Sequence, residues 1–230
     1  MAAAPTAIED YVKVIYAHTE WQPEQITTSV LAARLGLAAS SVTEMVKKLV
    51  ALGLVDHEPY GAVELTEQGT KLALTMIRRH RLIETWLVDF IGYSWDEVHD
   101  EAEVLEHTMS DRLLDALDTQ LGHPTRDPHG DPIPSRDGTI LRPEAVLLRD
   151  LVVGASGAVV RISDRDPMLL RHLDAEGVTL DSELLVLGDG TVDLGGTTLT
   201  LGAEALESIW VRVPLEPAAL AGVPGRLVPG

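Results

Sequence analysis

Val30-Leu31-Ala32-Ala33-Arg34-Leu35-Gly36-Leu37-Ala38-Ala39-Ser40-Ser41-Val42-Thr43-Glu44-Met45-Val46-Lys47-Lys48-Leu49 decides how this chain is read. Thr27, Thr28 and Ser29 offer caps for a short helix over 30–35, and Gly36 allows a tight turn. A longer helix over 39–49 follows, with Val42, Met45, Val46 and Leu49 on one face. A short helix, a glycine turn and a second helix opening on small polar residues predict a helix-turn-helix. Its outward residues Ser40, Ser41, Thr43, Glu44, Lys47 and Lys48 would meet the edges of a DNA major groove and its phosphates.

Working outward, residues 8–18 place Ile8, Tyr11, Val12, Ile15 and Tyr16 at helical spacing, with Asp10 beside that apolar face. A lone Asp near a helix start reads as a cap or dipole partner. On the other side of Gly53, residues 54–58 and 62–65 predict two strands around Pro59-Tyr60-Gly61, which makes a wing. The simpler alternative is two core helices and a hairpin with no nucleic-acid role. Thr66 then caps a long helix running to about Ile91 and ended by Gly92.

Charge limits where DNA could bind. The formal net charge is −18, but residues 1–81 hold 8 Lys+Arg against 9 Asp+Glu, leaving 10 against 27 for the remainder. All four lysines (Lys13, Lys47, Lys48, Lys71) fall in the first third, so contact with a polyanion belongs there. The chain has no cysteine, which excludes disulfides and thiolate ligands and suits a reducing cytoplasm. No run of eighteen apolar residues and no basic leader occurs, so neither a membrane span nor a secretion signal is expected.

The middle of the chain carries imidazoles and carboxylates in helical register. Ser94-Trp95-Asp96-Glu97 has the form of a capping box, and His99-Asp100-Glu101-Ala102-Glu103-Val104-Leu105-Glu106-His107 follows it. At about 100° per residue, His99, Glu103, Glu106 and His107 share roughly one quadrant of that helix. His80 and Glu84 repeat an i, i+4 pair on the long helix, among Arg78, Arg79 and Arg81. Such a face is either a solvated stripe or a nest for a first-row divalent ion of intermediate hardness. Residues 110–121 continue as a helix with a stripe of Leu113, Leu114, Leu117 and Leu121, which reads as helix packing and a dimer contact.

Residues 126–138 form a Pro/Gly-rich ordered loop in which Asp127 and His129 are either solvated or ligands. Beyond 148 short β-runs at 158–162, 183–187, 191–194, 197–201 and 209–213, with a helix over 167–175, predict a small β-barrel. The tail from Pro214 is expected to fray.

This order resembles the diphtheria toxin repressor family of metal-dependent regulators, from about Ile8 to Val213. The markers are Glu9-Asp10-Tyr11, Ser40-Ser41-Val42-Thr43, Gly53-Leu54-Val55, Arg79-His80-Arg81-Leu82, Val98-His99-Asp100-Glu101-Ala102, Leu105-Glu106-His107 and Asp131-Pro132-Ile133-Pro134. The resemblance implies a mainly α fold with β. It would comprise a winged helix-turn-helix domain (1–74), a helical dimerisation and metal-binding domain (75–145), an SH3-like, FeoA-type domain (146–214) and a tail (215–230). It implies a cytoplasmic homodimer that binds operator DNA, one or two dimers per operator, and represses metal-uptake genes.

The resemblance also implies two metal sites. One would use Asp10, Glu103, Glu106 and His107. The iron-responsive branch carries methionine and cysteine at the positions of Asp10 and Glu103, whereas two carboxylates match the manganese-responsive branch and suit Mn²⁺. Fe²⁺ or another divalent ion is the alternative activator. The second site would draw on His80, Glu84 and His99. Asp127-Pro128-His129 resembles a Cys-Pro-His loop of some manganese regulators, with Asp164 or Asp166 as last oxygen. The two-domain manganese regulators carry a second carboxylate where this chain has Lys13, so their closely spaced metal pair is not expected here. A rival from another class is a metal hydrolase, but Gly154-Ala155-Ser156-Gly157 is only a near miss to a nucleophile elbow, and no enzyme is expected. A third reading is a dimerisation module in which metals only stabilise.

Overall fold

The computed structural model describes residues 5–58 and 61–213. They divide into two units, one of residues up to 83, 102–125 and 133–140, the other of 84–101, 126–132 and 141 onward.

In the first unit α1 (Pro5–Glu20) buries Tyr11, Val12, Ile15 and Tyr16, the i, i+1, i+4 spacing that predicted it. Thr27 accepts from the Val30 N–H to start α2 (Thr28–Leu35), and Gly36 ends it in the left-handed region at φ 64°. In α3 (Ala39–Ala51) Val42, Val46 and Leu49 point inward, which leaves Ser40, Ser41, Thr43, Glu44 and Lys47 exposed and Lys48 half-buried. Strands β1 (Val55–His57) and β2 (Val63–Leu65) pair antiparallel with Val55 opposite Leu65. Two residues of the expected wing turn, Pro59 and Tyr60, lie outside the described residues, as does the tail from Pro214.

Thr66 starts α4 (Glu67–Trp86) by donating to the Gly53 carbonyl at 2.7 Å and accepting from Gly69 N at 3.1 Å. Gly69 is required at this crossing, because a Cβ there would stand 1.9 Å from the Leu54 carbonyl oxygen. Val12, Ile15, Ile26, Leu31, Val42, Leu49 and Ala73 form the core that unites these helices with the hairpin. Near its other end α4 presents Arg81, whose guanidinium forks onto both oxygens of Glu20, the last residue of α1, at 3.2 and 2.5 Å. A wider π-helical turn, Leu87–Ile91, follows α4 and Gly92 closes it at φ 90°.

α5 (Val98–Glu106) begins three residues later than the capping box predicts. Residues 94–97 instead make a turn, closed by the Glu97 N–H on the Ser94 carbonyl at 3.1 Å, and Trp95 packs against the core of the second unit. The local capping pattern does not encode that tertiary contact of Trp95. Ser110 caps α6 (Asp111–Gln120), which buries Leu114 and Leu117. Leu113, expected in the same stripe, lies on the outer side at 48% exposure.

The second unit holds β3 (Val146–Leu147), β4 (Ser156–Ile162), α7 (Pro167–Ala175), β5 (Glu183–Gly188), β6 (Thr191–Leu194), β7 (Thr197–Thr200), α8 (Ala203–Leu206) and β8 (Ile209–Arg212). The strands form an antiparallel sheet in the order β3-β8-β4-β5-β6-β7, curled around Val159, Ile162, Leu173, Leu184, Val192, Ile209 and Val211. The two residues of β3, and α8, carry too little periodic pattern to be read from sequence.

The loop 126–132 is bonded to β4. The Ile162 N–H donates to the His129 carbonyl at 2.9 Å, and Arg161 Nε donates to Asp131 Oδ1 at 2.7 Å. Arg161 also lies 4.3 Å over the Trp210 ring. Gly130, at φ 91°, presses so close that a Cβ would stand 2.0 Å from the Val160 carbonyl oxygen. Asp127 shapes the turn by accepting from the N–H groups of His129 and Asp131, both at 2.9 Å.

Candidate metal centres

Among the described residues, imidazoles and carboxylates gather within each unit. In the first, the ligand atoms of Asp10, Glu106 and His107 lie within 4.8 Å of one another. His107 stands just past the end of α5, Nδ1 facing Glu9 Oε2 and Nε2 facing Asp10 Oδ1, each at 2.8 Å. Where both carboxylates are ionised, the ring donates from both nitrogens. Burial pulls the imidazole pKa down, but Glu9, Glu106 and Asp10 outweigh it and hold His107 above its usual value. Asp10 is itself raised, because burial outweighs the attraction of His107 and Lys13.

Glu106 is fully buried and joined on both oxygens. His80 Nδ1 donates to Oε2 at 2.7 Å, while Lys13 Nζ donates to Oε1 at 2.5 Å. Burial alone would raise this carboxyl, but His80 and Lys13 hold it below its ordinary range. Glu103, expected among the ligands with Asp10 and His107, accepts from Lys13 at 2.6 Å. His80, expected in the second set, also meets Glu106 of the first. Glu9 and Lys13 are site members that the sequence reading did not place. The i+3 position of Lys13 relative to Asp10 on α1 is a signal for it, whereas Glu9 at i−1 carries none.

The second cluster gathers Glu84, His99, Asp164, Asp127 and His129 in two overlapping groups, Glu84–His99–Asp164 and Glu84–Asp127–His129. His99 Nδ1 lies 3.3 Å from Glu84 Oε1 and 3.5 Å from Asp164 Oδ2. Asp166 is not brought here. Its side chain accepts from Met168 N and Leu169 N and caps α7, so of the two expected alternatives Asp164 is the neighbour of His99. His129 Nε2 donates to the Trp95 carbonyl at 2.7 Å, so in the neutral ring Nδ1 carries the lone pair. That nitrogen is buried with no hydrogen-bond partner. The Trp95 ring stacks on the imidazole with centroids 6.1 Å apart. A buried acceptor nitrogen facing a buried carboxylate is the donor set that a divalent cation satisfies, so the residues present fit one.

Family models match along the chain in this order. The N-terminal DNA-binding domain of iron-dependent repressors matches residues 5–63, their metal-binding and dimerisation domain residues 66–135, and a FeoA domain residues 146–213. The iron-dependent repressor IdeR of Mycobacterium tuberculosis is 33% identical over 207 residues, covering 84% of this chain and 87% of that protein. The chain belongs to the family of metal-dependent transcriptional repressors that includes IdeR and the diphtheria toxin repressor, proteins that regulate rather than catalyse. Within it, a manganese-dependent transcriptional repressor solved in complex with manganese is 49% identical, with a TM-score of 0.87 over 90% of this chain and 100% of that one. The manganese regulator SloR is 32% identical at a TM-score of 0.76, over 90% of this chain and 98% of its own. No single helix among the described residues is long and apolar enough to cross a membrane.

Proposed function

We propose that the chain is a manganese-responsive repressor of metal-uptake genes that acts in the cytoplasm and grips its operator as a metal-loaded homodimer. The observation that carries the reading is the convergence of Asp10 from α1 with Glu106 and His107 from the end of α5. Asp10, Glu106 and His107 would hold one ion. Glu84, His99, His129, Asp127 and Asp164 would hold a second. When bound, the ion supplies positive charge between carboxylates that otherwise repel. The oxygen-rich donor set, in a chain without cysteine, favours manganese over softer metals. The manganese named for the 49% identical repressor supports the same choice.

The protein's own groups do the rest. Asp10 and His107 join α1 to the end of α5, which fixes the first helix of the DNA-binding segment. Ser40, Ser41, Thr43 and Glu44 face the groove, while Lys47 and Lys48 meet phosphates. Val104 and Leu113, 68% and 48% exposed, offer apolar surface to a second copy. The division into 1–74, 75–145 and 146–214 follows the same reading, with one or two dimers on each operator.

The test is a mobility shift with metal-free protein titrated with Mn²⁺, Fe²⁺, Co²⁺ and Zn²⁺. Mn²⁺ is expected to tighten operator binding at the lowest concentration. Activation first by Fe²⁺ would move the chain to the iron-responsive side of the family, and equal binding with and without metal would overturn the switch.

A further inference from the structure

We propose that Lys13 is the resident cation of the first centre, an ammonium tethered to α1 that holds Glu103 and Glu106 together and that an entering divalent ion must displace from Glu106. The inference rests on the metal-responsive reading above. Lys13 is 8% exposed and spends two of its three donors on these carboxylates, at 2.6 and 2.5 Å. A lysine buried this deeply persists when its charge is paired, and here both partners belong to the centre. The oxygen it holds, Glu106 Oε1, is the one that faces His107 Nε2 at 3.4 Å. A cation seated among Asp10, Glu106 and His107 therefore competes with the ammonium for that oxygen. Asp10 and Lys13 are three residues apart on α1, so one helix carries both a ligand and the competitor.

A merely structural ion pair predicts something different. It would stabilise the metal-free and metal-loaded protein alike and leave metal affinity untouched. A tethered competitor stabilises the metal-free form selectively and weakens metal binding.

Metal-free full-length protein, with Lys13→Met and Lys13→Gln variants, is titrated with MnCl2 by calorimetry and melted with and without the ion. Gln removes the charge but keeps a donor for Glu106, so it guards against a fold failure in the Met variant. Both variants are expected to melt lower than the parent without metal, to gain more melting temperature from Mn²⁺, and to bind it on the order of tenfold more tightly. Lys13→Arg, which keeps the charge, is expected to restore affinity to the parental level. Parental or weaker affinity in folded Lys13→Gln, with the parental metal-induced gain in melting temperature, overturns the role of Lys13 alone. Absence of Mn²⁺ binding in the parent overturns the metal reading itself.

Discussion

His129 Nδ1 lies 3.9 Å from Glu84 Oε2, too far for a hydrogen bond, and both side chains are shut away from solvent. Two buried acceptors facing one another hold together through a proton or a metal cation between them. Glu84→Gln replaces one acceptor with an amide that can donate to the imidazole. The metal-free variant is expected to melt no lower than the parent while losing one equivalent of bound Mn²⁺ by elemental analysis. Parental metal content in the variant would remove the second centre from the scheme.

Asp10 lies in a helix of the DNA-binding segment, and its carboxylate meets His107 at 2.8 Å. Asp10→Ala should fold normally but lose the linkage between metal and operator. A coupling free energy of about 1–3 kcal/mol corresponds to a loss of roughly 5- to 150-fold in metal-stimulated affinity. A mobility shift with and without Mn²⁺ reads it directly, and a variant as metal-dependent as the parent would contradict the arrangement.

The pH dependence follows from His107 and His129, both held above the ordinary imidazole value. In each case burial pulls the value down and neighbouring carboxylates more than offset it. Raised folded values mean that their contribution to metal-free stability is complete below the unfolded value of about 6.5 and is lost as pH climbs through the folded values. Coordination needs the neutral rings, so protons compete with the metal up to a higher pH than for free imidazole. Thermal melts should therefore show the stabilisation by Mn²⁺ growing as pH rises from 6 to 8. A gain from Mn²⁺ that stayed flat over that range would contradict proton competition at these rings.

Arg161 anchors the loop that carries His129. Its Nε bonds Asp131 at 2.7 Å and both side chains are nearly buried. Arg161→Met leaves the Asp131 carboxylate without this partner, a change that costs about 3–5 kcal/mol for a buried pair. Urea unfolding is expected to register that loss, together with weaker Mn²⁺ binding at the second centre. Arg161→Lys keeps the charge but not the planar stacking over Trp210, so it should recover part of the stability.

The helices and most strands were legible because their apolar spacing is local. The 3.6-residue repeat of Val42, Val46 and Leu49 survives in the structure as the buried side of α3. The centres were legible as residue types but not as partners. Helical phase puts His99, Glu103, Glu106 and His107 on one side, but it does not show that Glu103 meets Lys13, that His99 meets Glu84, or that α5 ends at Glu106. Asp164 and Asp166 look equivalent in sequence. Pro167 settles the matter, since it suits the first position of a helix and makes the residue before it the cap. Lys13 looked like a departure from a ligand pattern because sequence cannot show that a cationic side chain is folded into the cluster.

The fork of Arg81 onto Glu20 bears on how α1 can respond to events at its opposite end. From Asp10 to Glu20 the helix spans about 15 Å, and its last residue is riveted to α4 by two bonds. A pull on Asp10 along the helix axis is therefore resisted at Glu20, so strain placed on one end of α1 is borne at the other.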